Sequence, residues 1–255
     1  MKFSANLGFL WNNISLPEAI CAAKAAGFDA VECHWPYDVP PEEVAKALTA
    51  TGLNMVGLNT RRGDVLAGDN GLAAITGRED EARRSINEAI SYAIDVNAAN
   101  IHVMAGITND SKALSTFITN LDYACKIAAP HGIRILIEPL NKYDVPGYFL
   151  TTTDQAIEII DAVSLSNLKL MFDCYHVQLM EGNLTNRLKN LFPYIGHIQF
   201  ASVPSREAPN LGEIDYINLF SSIKAMGWTQ PLGAEYQTNG KTEETLHWLN
   251  DAKFL

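Results

Sequence analysis

Eight times along the chain a short apolar run with β-type residues gives way to a stretch with helical spacing, and no other feature limits the fold as tightly. The runs are FSANLGF from Phe3, DAVECHW from Asp29, LNMVGLN from Leu53, NIHVMAG from Asn100, RILIEPL from Arg134, LKLMFD from Leu168, YIGHIQF from Tyr194 and PLGAEY from Pro231. Helices are expected between them over 15–26, 41–51, 79–96, 112–129, 153–163, 184–191, 214–226 and 242–248. Ser15 stands as a plausible N-cap, and Gly27-Phe28, Gly52-Leu53, Gly132-Ile133 and Gly227-Trp228 each pair a helix stop with entry into a strand. Each strand-plus-helix unit averages about 32 residues, the length of a right-handed crossover in a parallel sheet. Eight such units favour a closed (β/α)8 TIM barrel over an open doubly wound sheet, and no linker or composition shift divides residues 1–255.

Composition narrows the class of function. A 47% hydrophobic content supplies a sizeable core, and a net charge of -10 with no basic stripe argues against nucleic acid as a partner. Cys21, Cys33, Cys125 and Cys174 are scattered without a CxxC pair, as expected of reduced thiols in a cytoplasmic protein. The N-terminus lacks a signal peptide's apolar region, and no apolar run is long enough to span a membrane. The sequence says nothing decisive about assembly and is compatible with a homo-oligomer.

The polar residues that close otherwise apolar strands carry the chemistry. Glu138 ends RILIEP, Asp173 ends LKLMFD, Gln199 lies near the end of YIGHIQF and Glu235 ends PLGAEY, about one βα unit apart. A barrel brings these four successive strand ends to one side of its C-terminal mouth. Three buried carboxylates there repel one another, and no lysine or arginine occupies a comparable strand-end position. A divalent cation supplies the missing charge, and two glutamates, one aspartate and an amide carbonyl suit Mg²⁺ or Mn²⁺ better than zinc. Any one of these residues alone reads better as a rim group facing water. Their recurrence on four strands favours the metal.

The segments KFSANLGFLW, GFDAVECHWPYD, LNTRRGDVLAGDNGLAAITGRE, ILIEPLNKYDVPGYFLTTTDQAIEIID, FDCYHVQLMEGNLT, HIQFASVPSREAPNLGEIDY and GAEY resemble the hydroxypyruvate isomerase family, a branch of the xylose isomerase-like TIM barrels. The resemblance runs from the first strand nearly to the last helix. It implies that Glu138, Asp173, Gln199 and Glu235 are metal ligands, that Glu138 and Glu235 double as the acid/base pair, and that His176 and Arg206 lie near the substrate. It also implies isomerisation of a small hydroxy-oxo acid or sugar acid through an enediolate, first of all hydroxypyruvate to tartronate semialdehyde. A 2-oxo-tetronate isomerase or a ketose 3-epimerase would use the same metal and glutamate pair. Two places depart from the family's pattern: His34-Trp35 before the Pro-Tyr pair, and Gln237 where a lysine is common.

Other residues read two ways. His176 could bind a substrate oxygen or cap the rim, and Arg206 could bind the substrate carboxylate or sit on a solvated loop. His102 faces the mouth or the core according to register, and Glu32 could orient His102 or a water, or line the rim. Strand alternation turns Cys174 away from the mouth and into packing. Arg61 and Arg62 could add charge from the glycine-rich connection 60–77, which is either a lid or a surface excursion. A multi-zinc endonuclease of the same superfamily would need a basic face and more than six scattered histidines. A non-catalytic acid-binding protein would need no second opposed carboxylate. The fingerprints of serine hydrolases, P-loop nucleotidases and dinucleotide-binding dehydrogenases are missing from the sequence.

Overall fold

A computed structural model describes residues 1–253. Its parallel strands are β1 (Phe3–Asn6), β2 (Ala30–Glu32), β3 (Asn54–Met55), β4 (Gly57–Asn59), β5 (Asn100–His102), β6 (Arg134–Ile137), β7 (Leu168–Asp173), β8 (Ile195–Phe200) and β9 (Leu232–Ala234). They pair in the order β3-β2-β1-β9-β8-β7-β6-β5-β4. The two ends of that order are separated in the chain by Val56 alone, so β3 and β4 are halves of one barrel strand. The first half pairs with β2 and the second with β5. Val56 N donates to Val31 O at 2.7 Å and Cys33 N to Gly57 O at 3.1 Å, which closes the ring across that break. All eight expected strands are therefore present in a TIM barrel.

The helices are α1 (Leu16–Ala25), α2 (Pro41–Thr51), α3 (Glu79–Asp95), α4 (Ala113–Ala128), α5 (Thr153–Val163), α6 (Cys174–Met180), α7 (Leu184–Leu191), α8 (Tyr216–Ala225) and α9 (His247–Lys253). Local chemistry sets their ends. Ser15 and Glu18 form a capping box on α1, Thr152 and Asp215 cap α5 and α8, and Gly52 ends α2 in the left-handed region at φ 67. Two expectations are corrected. The stretch 242–248 is a tight 3-10 turn, Thr242–Thr245, followed by α9. Cys174 does not continue a strand but opens the short helix α6; its thiol is fully buried, so packing is its role, although alternation is not the reason.

The strands are buried on both faces, as a parallel barrel requires. Outside the sheet, Phe3, Phe200 and Trp248 meet edge to face with centroids 5.2–5.9 Å apart, and this cluster seats α9 against β1 and β8. Between β7 and β8 the register shifts: Leu170 pairs with Ile195 but Met171 with His197. The extra residue brings Asp173 level with Gln199. No helix among the described residues is long and apolar enough to cross a membrane.

The 60–77 connection is partly anchored. Leu72, Ala73 and Ala74 are buried and Gly71 bridges to Ala105, while Leu66 is fully exposed. Arg61 pairs with Glu88 at 2.7 Å and Arg62 lies over Trp35 at 4.3 Å.

Candidate active site

Polar side chains close the whole mouth, not only its last four strands. Asn6, Glu32, Asn59 and His102 end β1, β2, β4 and β5, and Glu138, Asp173, Gln199 and Glu235 end or follow the remaining four. Glu138, Asp173, Gln199 and Glu235 are each at most 5% exposed. Part of the positive charge that the sequence assigns to a metal comes from Arg206, on the loop after β8. This arginine adopts φ 54, with its amide bonded to Ser202 O at 2.9 Å and its carbonyl accepting from Gln237 N at 2.7 Å. That backbone turns the guanidinium inward between the rings of Phe9 and Tyr175, 4.9 Å from each. Its Nη2 donates to Glu235 Oε2 at 2.6 Å and lies 3.5 Å from Asp173 Oδ2. Arg206 is no solvated loop residue.

Glu235 is the most heavily bonded group of the set. Its Oε1 accepts from Asn6 Nδ2 at 2.8 Å and His34 Nε2 at 2.9 Å, with Gln199 Nε2 at 3.3 Å. Burial alone would raise its carboxyl, but Arg206 and then His34 outweigh it and hold the group down to about 2. Glu138 and Asp173 have weaker support. Burial pushes Glu138 well above the usual carboxylate range and Asp173 up to about 7, the latter opposed by Arg206.

His176 sits on α6, whose N-terminus Asp173 caps by accepting Tyr175 N at 2.9 Å through Oδ1. The amide of Asn141 donates to His176 Nδ1 at 3.1 Å, so in the neutral ring the proton belongs on Nε2. Burial drives the imidazole well below its usual range and keeps it neutral. Nε2 lies 3.6 Å from Asp173 Oδ2 and 3.9 Å from Glu138 Oε1, where an N–H serves better as a donor than as a metal ligand. His102 lies within the mouth, Nδ1 3.5 Å from Glu138 Oε2, and burial pulls it down to about 3. Glu32 does not orient His102. It pairs with His197, which sequence reasoning passed over along with Asn6.

A metal can be tested against the donors themselves. Glu138 Oε1, Asp173 Oδ2 and Gln199 Oε1 are buried oxygens without a hydrogen-bond donor. Such orphans are rare in folded proteins, and three acceptors from three adjacent strands fit a hard cation. Glu138 and Asp173 bring carboxylate oxygens within 4.8 Å of one another, with a ring nitrogen of His176 at the same range. Glu235 differs from the other expected ligands because its two oxygens are already engaged.

Residues 20–252 match the family model described as xylose isomerase-like TIM barrel. A 2-oxo-tetronate isomerase of Cupriavidus necator is 40% identical over 97% of this chain and 97% of its own. The hydroxypyruvate isomerase of Escherichia coli is 37% identical over 98% of each chain. Among solved structures, one titled AP endonuclease, family 2, from Brucella melitensis superposes with a TM-score of 0.95 at 39% identity, covering 98% of each chain. The chain belongs to the xylose isomerase-like TIM barrel family and, within it, to the hydroxypyruvate isomerase group of enzymes.

Proposed function

We propose that this enzyme is a metal-dependent isomerase of a small hydroxy-oxo acid, hydroxypyruvate to tartronate semialdehyde being the first assignment. The observation that carries the proposal is the pairing of three donorless buried oxygens with two carboxylates in opposite electrostatic settings. Glu138, Asp173, Gln199 and Glu235 would hold Mg²⁺ or Mn²⁺. Once bound, the ion would polarise the substrate's carbonyl and neighbouring hydroxyl and keep Glu138 and Asp173 ionised at neutral pH.

The chain's own residues supply the rest. One glutamate takes a proton from the carbon beside the carbonyl and the other returns a proton to the adjacent carbon, by way of an enediolate. Arg206 links binding to basicity. A substrate carboxylate competes with Glu235 for the guanidinium, and a Glu235 released from Arg206 becomes a stronger base. His176 Nε2–H donates to a substrate oxygen, and His102 contacts the substrate from the neighbouring strand.

A four-carbon 2-oxo-tetronate is the second reading, favoured by the Cupriavidus relative at 40% identity. The endonuclease title of the Brucella structure is opposed here by the net charge of -10 and a mouth ringed with carboxylates. Turnover of both acids by metal-loaded wild type, Glu138→Gln and Glu235→Gln tests the proposal. Each variant is expected to lose about 10²- to 10⁴-fold in kcat while still binding metal. Near wild-type turnover in either would sink the two-carboxylate mechanism, and turnover of the four-carbon acid alone would move the assignment to it.

A further inference from the structure

Glu32 and His197 are buried ionisable groups with no part in the chemistry above, at 3% and 2% exposure. Glu32 Oε2 lies 2.5 Å from His197 Nε2, and Glu32 Oε1 accepts from Gln199 Nε2 at 3.3 Å and Asn6 Nδ2 at 3.4 Å. We infer that Glu32 and His197 are a positioning pair that fixes the orientation of the Gln199 amide, turning its oxygen toward the metal ligands. The inference rests on the proposed role of Gln199 as a ligand.

The two ends of an amide have nearly the same shape, so packing cannot decide which faces the metal. Only hydrogen bonding can. Glu32 Oε1 already accepts from Asn6 Nδ2, and an oxygen in that role has no proton to give, so the amide nitrogen faces Glu32. The same nitrogen reaches Glu235 Oε1 at 3.3 Å, which commits both N–H groups and leaves Oε1 without a donor. Asn6 braces the arrangement: its Oδ1 accepts Gly8 N at 2.9 Å, which fixes its own amide and points Nδ2 at Glu32 and Glu235. Strand β9 leaves room for the pair. Gly233 is level with Gln199, and a Cβ there would lie 2.8 Å from Gln199 Cγ and 2.9 Å from His197 Nε2. The cavity beside Glu32 is about 20 Å³, room for one water and for no substrate, so Glu32 acts through Gln199.

Mn²⁺ titration calorimetry on the chelator-treated full-length protein tests the pair, with melting temperatures measured alongside. Gln199→Ala is expected to weaken Mn²⁺ binding. Glu32→Gln, which can no longer dictate the amide's orientation, is expected to weaken it about 10- to 100-fold. In a Gln199→Ala background the same Glu32→Gln change is expected to add no further loss, which a general structural weakening would not reproduce. His197→Asn removes the donor to Glu32 Oε2 and should show the same dependence on Gln199, so it serves if Glu32→Gln folds poorly. Equal weakening in both backgrounds, or wild-type affinity in Glu32→Gln, would overturn the pair. Wild-type affinity in Gln199→Ala would instead remove Gln199 from the metal, and the inference would fall for that separate reason.

Discussion

Arg206 Nη2 donates to Glu235 Oε2 at 2.6 Å while the same nitrogen stands 3.5 Å from Asp173 Oδ2, so one guanidinium on a loop neutralises carboxylates from two different strands. Arg206→Lys keeps the charge but loses the planar fork, one arm of which faces both carboxylates while its plane stacks between Phe9 and Tyr175. With a substrate acid competing for that fork, KM is expected to rise about ten- to a hundredfold, the worth of one charge-assisted hydrogen bond. Steady-state kinetics with an uncharged substrate analogue provides the control. A similar KM rise for the uncharged compound would mean that Arg206 only shapes the mouth.

The pH dependence of the metal-free protein follows from four buried groups. Asp173 and Glu138 are raised by burial, so the stability they permit is complete below about pH 4 and is lost as pH climbs through their folded values, about 7 for Asp173. His102 and His176 are depressed by burial, so their contribution is present above about pH 6.5 and is lost as pH falls. The two slopes oppose each other between about pH 4 and 6.5. Above that only the carboxyls still titrate, and stability should drop by up to about 1.4 kcal/mol per pH unit for each proton released. Thermal melts of chelator-treated protein are expected to fall from pH 6.5 to 8, with Mn²⁺ removing the slope. A flat or rising metal-free curve contradicts the raised carboxyls.

Much of this was legible because the strand ends break an apolar pattern. Glu138, Asp173, Gln199 and Glu235 each interrupt an oily run, and the βα spacing put them on successive strands. What stayed hidden depends on register and loop geometry. Nothing in YIGHIQF announces the extra residue that sets Asp173 opposite Gln199; an unshifted pairing would have offered Ile198 instead. Arg206 could be read either as a carboxylate binder or as a solvated loop residue, and the inward aim that decides between them comes from a left-handed backbone at a position that is not glycine. His197 looked like one polar residue within a strand, and its meaning appears only when Glu32, 165 positions earlier in the chain, is seen 2.5 Å away.

Chelation separates the metal's role from that of the scaffold. The donorless oxygens of Glu138, Asp173 and Gln199 predict that stripping divalent ions abolishes turnover and lowers the melting temperature at pH 7.5. Mg²⁺ or Mn²⁺ should restore both. A bound ion at 100 times its dissociation constant stabilises by about 2.7 kcal/mol, enough to read in a melt. Full activity after exhaustive chelation, confirmed by elemental analysis, would leave the three oxygens without this explanation.

The packing behind Glu235 yields a test at a residue that makes no side-chain contact of its own. His34 Nε2 donates to Glu235 Oε1 at 2.9 Å, and its ring is held by the edge of Phe9, centroids 5.1 Å apart, and by Trp35 at 5.0 Å. The imidazole also lies directly over Gly8, where a Cβ would collide with its Nδ1. Gly8→Ala should therefore push His34 off Glu235 while Arg206 and Asn6 stay in place. His34 is one of the groups that outweigh burial and hold Glu235 down, so its withdrawal raises that carboxyl. The acidic limb of kcat/KM against pH is expected to move up in Gly8→Ala, and to move equally in His34→Ala, which makes no clash. A shift in Gly8→Ala without one in His34→Ala would show that crowding at the first strand acts by another route than the loss of this donor.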